Sequence, residues 1–238
     1  MSYTPLIWPL ITSAAILFGI AISMRRYRRL PAAYAFRLFC LLGGLWSVTY
    51  TFNLVTVELH PKLIISQIQS AVSSFLAPAV FVFIIEYTGH SNWLNRSHLT
   101  WLLLIPSITA LAALTSTHHS LFRYNFTVEI ANGLPILESD RGPFYWLQQS
   151  YSIAVVVAAS LIVILAFHKR PQYFRNMLIF LAGLIIPALV HLLYLGKILP
   201  LRGLQLTPFT MVFTSLIYLY ALRGTLLFEV APLHAKLC

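Results

Sequence analysis

Long apolar runs separated by short polar breaks fill this 238-residue chain. A bilayer core takes about 20 mostly apolar residues per helix. Seven stretches meet that requirement: 5–24, 36–57, 63–87, 99–116, 143–167, 174–195 and 205–222. The pattern predicts an all-α membrane protein, a seven-transmembrane helix bundle with no room between spans for a soluble domain. Inside the spans the polar residues recur at helical spacing and so form stripes. The sixth span aligns Gly183, Pro187, His191 and Tyr194, and the seventh aligns Thr207, Thr210, Thr214 and Tyr218. The third carries Ser66, Gln67, Ser70, Ser73, Ser74 and Ala77, followed by Pro78, which is expected to kink it. Hydrocarbon offers such groups no hydrogen-bond partner, so the stripes are expected to face the bundle interior.

One break is long, from about Thr117 to Gly142. Its sequence YNFTVEI-ANG-LPILES reads as two short strands turning at Asn132-Gly133. This predicts a short β-hairpin between helices 4 and 5, long enough to fold over the bundle as a cover.

Composition agrees with the pattern. The chain is 59% apolar and 9% charged, where a soluble domain carries about 25% charged residues. The net charge of +10 does not indicate nucleic acid, because the charges sit at helix ends and sort by side. Eleven of the sixteen Lys and Arg, beginning with the Arg25-Arg26-Tyr27-Arg28-Arg29 cluster, fall on one side. The other side holds Lys62, Arg123, Arg141, Lys197 and Arg202. The positive-inside rule makes the first side cytoplasmic, which gives an N-out/C-in, multi-pass protein of the plasma membrane. Its two cysteines, Cys40 in a span and Cys238 at the last position, form no disulfide framework.

With that topology the polar residues gather toward the outer half of each span. Tyr50 and Asn53, Gln67, Trp146 and Gln149, His191 and Tyr194, and Thr207 and Thr210 all lie there. The inner halves are mostly Leu, Ile, Val, Phe and Ala. The expectation is an outward-facing cavity above a dry inner plug, suited to a small ligand with apolar bulk and a few hydrogen-bonding groups. Those nine residues are the candidate ligand contacts, with Pro187 and Pro208 as candidate hinges and His191 as a candidate pH sensor.

Several chemistries are missing. No lysine lies at mid-membrane to hold retinal, and there is no HExxH, no Gly-x-Ser-x-Gly and no pair of intramembrane aspartates. No catalytic constellation or metal site is expected. A transporter would show internal repeats and buried charges, and a channel a polar path through the full depth. The rival reading is a membrane carrier or haem/redox subunit using His118, His119 or His191.

The run from about Trp46 to Ala235 resembles the seven-helix N-terminal sensor region of bacterial and archaeal membrane histidine kinases. The resemblance lies in Trp46 to Glu58, Phe75-Leu76-Ala77-Pro78, Glu86-Tyr87-Thr88-Gly89 and Thr115 to Phe122. It continues through Gly142-Pro143-Phe144-Tyr145-Trp146, the Pro187 to Tyr194 helix, Leu206-Thr207-Pro208-Phe209 and the exit from Arg223 to Ala235. It implies a transmembrane sensor at residues 1–224 and the start of a cytoplasmic signalling linker at 225–238. The implied function is reception of a small molecule and transmission through helix 7 to a cytoplasmic kinase or other output module, with no kinase core in these residues. A homodimer is left open, and the resemblance names no ligand.

Overall fold

A computed structural model describes residues 5–27, 31–131, 133–168, 174–196, 198 and 205–227. The helices are α1 (Ile7–Ser23), α2 (Pro31–Val55), α3 (Leu59–Ser74), α4 (Leu76–Tyr87) and α5 (Arg96–Leu114). A hairpin of β1 (Arg123–Ala131) and β2 (Leu134–Arg141) follows, then α6 (Pro143–His168), α7 (Phe174–Leu195) and α8 (Thr207–Leu227). The third span is the near-continuous pair α3 and α4, 29 residues from Leu59 to Tyr87. Among the described residues six helices are long and apolar enough to cross a membrane. The apolar part of α8, Thr207–Leu222, is shorter. The start of the proposed linker, 225–227, continues α8, whereas 228–238 lie outside the described residues, as do Arg28, Arg29, Asn132, Lys197 and Arg202.

The helices close into a ring. Helix α1 packs on α2, α2 on α3 and α4, α3 on α5, α5 on α6, α6 on α7, α7 on α8, and α8 back on α1. Helix α4 also bridges α2 and α6. Away from the hairpin the interior is solid: Phe36, Phe83, Phe180 and Tyr218 are fully buried. The Tyr218 ring lies 5.0 Å from Phe83 and 5.2 Å from Phe180, centroid to centroid. Gly183 allows this packing, because a Cβ there would stand 2.6 Å from the Tyr218 ring.

Local sequence explains where the elements begin. The Asn95 side chain caps α5 by accepting from the His98 amide at 2.8 Å. Pro143 opens α6 at a position where a missing N–H costs nothing. The Lys62 ammonium is buried against the end of α2 and donates to the Asn53 and Thr56 carbonyls. It thereby satisfies acceptors that the helix leaves orphaned.

Three of the described prolines lie mid-span, and each removes the N–H that would bond the carbonyl four residues earlier. Pro78, Pro106 and Pro187 thus free the carbonyls of Ser74, Leu102 and Gly183. Each freed carbonyl takes a side chain from a neighbouring helix. Gln148 Nε2 donates to Ser74 at 3.2 Å, the Tyr151 hydroxyl donates to Leu102, and the Thr214 hydroxyl donates to Gly183 at 3.0 Å. Defects in single helices thereby become links between helices: α6 to α3, α6 to α5, and α8 to α7. The interruption of the third span falls at Phe75, in the turn before Pro78.

Candidate functional site

The hairpin lies across one end of the bundle. At its root, Phe122 packs with Ala112 and Ala113 of α5 and with Phe144 and Tyr145 of α6. At its tip, Leu134 packs on Leu10, Tyr50 and Leu54 of α1 and α2. Ala131 pairs with Leu134 across the turn, and Gly133 takes φ +76°, the left-handed backbone such a tight turn requires. Gly142 fixes the other end, since a Cβ there would collide with the backbone carbonyls of Ser120 and Leu121.

Beneath this cover is a cavity of about 1110 Å³, walled by residues of α2, α3, α4, α6, α7, α8 and the hairpin. Its side away from the hairpin is apolar, with Phe39, Leu76, Val80, Leu184 and Met211. Nearer the hairpin the walls are Gln69, Ser70, Ser73, Gln148, Gln149, His191, Tyr194, Gln205 and Thr207. Hydrogen bonds hold this polar ring in place. Gln69 Nε2 donates to Gln205 Oε1 at 3.3 Å, Gln205 Nε2 to the Tyr194 hydroxyl at 3.0 Å, and the Gln205 amide to the Tyr50 hydroxyl at 2.7 Å. His191 Nε2 and Gln149 Oε1 are 2.9 Å apart, so the ring donates there.

The structure brings together five of the expected positions: Gln149, His191, Tyr194, Thr207 and Pro187 line the cavity. Tyr50 and Asn53 line a neighbouring pocket of about 40 Å³, also reached by Tyr194 and Gln205. Gln67, Trp146 and Thr210 are not in the wall. Gln67 Nε2 turns to Ser116 Oγ at 3.3 Å, Trp146 is 50% exposed, and Thr210 returns its hydroxyl to the Thr207 carbonyl at 2.9 Å. Each sits one or two positions off the helical face that the cavity takes. Pro208 stands in the first turn of α8, where it starts the helix and interrupts nothing.

His119 is held at both nitrogens, Nε2 near Thr115 Oγ1 at 2.9 Å and Nδ1 accepting from the Leu121 amide at 3.2 Å. Among the described residues no three His, Cys, Asp or Glu side chains gather as a metal would need.

Arg123 and Arg141, which the charge pattern marks only as outer-side residues, also line the cavity. Arg123 donates from Nε to Ser139 Oγ at 2.7 Å and from Nη1 to Ser66 Oγ at 3.0 Å. Arg141 donates to the Leu195 carbonyl at 3.3 Å and lies over the Tyr145 and Trp146 rings. Burial, opposed by Tyr194, Tyr145 and Glu138, holds the Arg123 pKa below the ordinary arginine value. The two face each other because of a bulge between Tyr124 and Thr127, where Asn125 has φ +51°. The regular register beyond the bulge would set Arg123 against Gly142; the extra residue shifts it onto Arg141.

Fold and site together define a multi-pass membrane protein with a hydrogen-bonding cavity under a two-stranded cover. The chain belongs to the family of the N-terminal 7TM region of histidine kinase, whose model matches residues 9–232. This makes it a multi-pass plasma-membrane protein of a signalling family, a membership that implies a cytoplasmic kinase output, and the matched part is the membrane region rather than a catalytic domain. No curated protein and no solved structure matches it.

Proposed function

We propose that the chain is a ligand receptor, the sensing part of a two-component-type signalling protein. In this reading α8 is the seventh span, the N-terminus is outside, and the hairpin end faces the exterior. A small molecule enters the cavity and contacts Gln149, His191, Tyr194 and Thr207. The observation that carries the reading is the cavity of about 1110 Å³, with a hydrogen-bonding ring toward its cover and an apolar wall opposite. A continuous aqueous path is opposed by the aromatic plug around Tyr218.

Transmission follows from the α7–α8 seam. Pro187 lies in the cavity wall, and the carbonyl it frees is held by Thr214 of α8. A ligand that binds better to one packing of this seam shifts the balance by its differential affinity and by nothing more. Helix α8 then carries the change to the output module.

Native mass spectrometry of the protein released from nanodiscs tests this. The expected result is a co-purified small molecule that is lost in the His191→Ala, Thr207→Val double variant while the bundle stays folded. Retention of that molecule by the double variant would contradict the assignment.

A further inference from the structure

Resting on the cavity reading, we propose that its ligand is an anionic amphiphile. A carboxylate, phosphate or sulfate head sits against the Arg123 and Arg141 guanidiniums, and an apolar tail runs toward Leu76, Val80 and Leu184.

Arg123 and Arg141 are directly opposed across the antiparallel ladder. Like charges in that arrangement repel and destabilise the pair. The hairpin nevertheless turns both toward the cavity. Their protein partners are neutral: two serine hydroxyls for Arg123, and one backbone carbonyl and two aromatic faces for Arg141. Among the described residues neither guanidinium is within ion-pairing distance of a carboxylate, and the Nη2 group of each is uncommitted.

The hairpin carries carboxylates that would have neutralised this pair. Strand alternation keeps them apart. On β2, Leu137, Ser139 and Arg141 share the face toward the helices, while Glu138 and Asp140 share the other. Asp140 is exposed and accepts from Asn125 Nδ2 at 2.7 Å. Glu138 comes near enough to Arg123 to influence it without pairing. The bulge turns Arg123 from the carboxylate face to the arginine face. The arginines thus share one strand face with Ser139, while Glu129, Glu138 and Asp140, which also border the cavity, pair with neither arginine.

The surroundings suit an anionic head. Tyr145 and Tyr194 stand within charge-interaction range of Arg123, and His191 within range of Arg141. Guanidiniums bind carboxylate and phosphate through paired N–H donors in a fixed fork. Further from the hairpin the wall becomes apolar, which suits a hydrocarbon tail and no second charge.

The test uses the full chain in nanodiscs of zwitterionic lipid and a fluorescent long-chain carboxylic acid, with the matched long-chain alcohol as competitor. The acid should bind at least about tenfold tighter than the alcohol, as expected for hydrogen bonds to a charged group. The Arg123→Gln, Arg141→Gln double variant should lose that preference and keep its affinity for the alcohol, which also shows that it folds. The Arg→Lys pair should keep part of the preference. Phosphatidylglycerol added to the discs separates the sources. Displacement of the acid identifies a leaflet lipid as a ligand of this class, and no displacement identifies a free acid. Equal binding of acid and alcohol, or a preference that survives the Arg→Gln pair, overturns the head-group assignment. If that equal binding is lost in the His191→Ala, Thr207→Val variant, the cavity reading stands without it. Binding of neither probe overturns the amphiphile proposal, and the mass-spectrometric result then judges the cavity separately.

Discussion

The bundle is joined at single residues where prolines free carbonyls. Thr214→Val and Tyr151→Phe should each lower stability by about 0.6 kcal/mol, the average for interhelical hydrogen bonds in membranes. An unfolding equilibrium in mixed micelles reads this. Gly183→Ala meets a ring and not a void, so it should cost about 1–3 kcal/mol. Adding Tyr218→Leu should recover part of that loss. A double variant that loses the full sum of the two single losses would show that the Gly183–Tyr218 contact does not set the seam. Gly183 and Tyr218 were legible as members of polar stripes. Their direct contact was not, because periodicity assigns a residue to a face but not to a partner.

At the scale of elements, the hairpin was readable from Asn132-Gly133 and the strand composition around it. Its bulge was not: a single extra residue at Asn125 leaves no mark in alternation this short, yet it decides which face Arg123 occupies. The third span shows the same limit. Ser70, Ser73 and Ala77 share one helical stripe and line the cavity, whereas Gln67 lies about a third of a turn away and meets Ser116. The expected break near Pro78 and the proline at the start of α8 show that a proline's effect depends on its position in the helix. The Gly142→Ala variant tests the hairpin as a unit. Its Cβ meets backbone and not a flexible side chain, so the hairpin root must move. Hydrogen exchange of β1 and β2 amides should rise while the amides of α2 keep their protection. Unchanged protection of the strands would show that the root tolerates the collision.

For the whole molecule, one asymmetry organises the account. Hydrogen-bonding side chains and the cavity lie toward the hairpin, and an aromatic plug fills the other half. Three of the basic residues assigned to the disfavoured outer side have defined places, Lys62 at the end of α2 and Arg123 and Arg141 at the cavity. That supports an orientation in which the hairpin end faces outward, since each of these charges has a local reason to be there. The overall bundle was legible because bilayer thickness sets span length. The cavity contents were only half legible, because the residues that close it come from a loop. Accessibility of the cavity in intact cells is the most direct test. With Cys40 and Cys238 replaced by alanine, a cysteine at 191 or 207 is treated with a membrane-impermeant thiol reagent. Labelling at both positions before the cells are permeabilised is the predicted result. Labelling only after permeabilisation would contradict an outward-opening cavity.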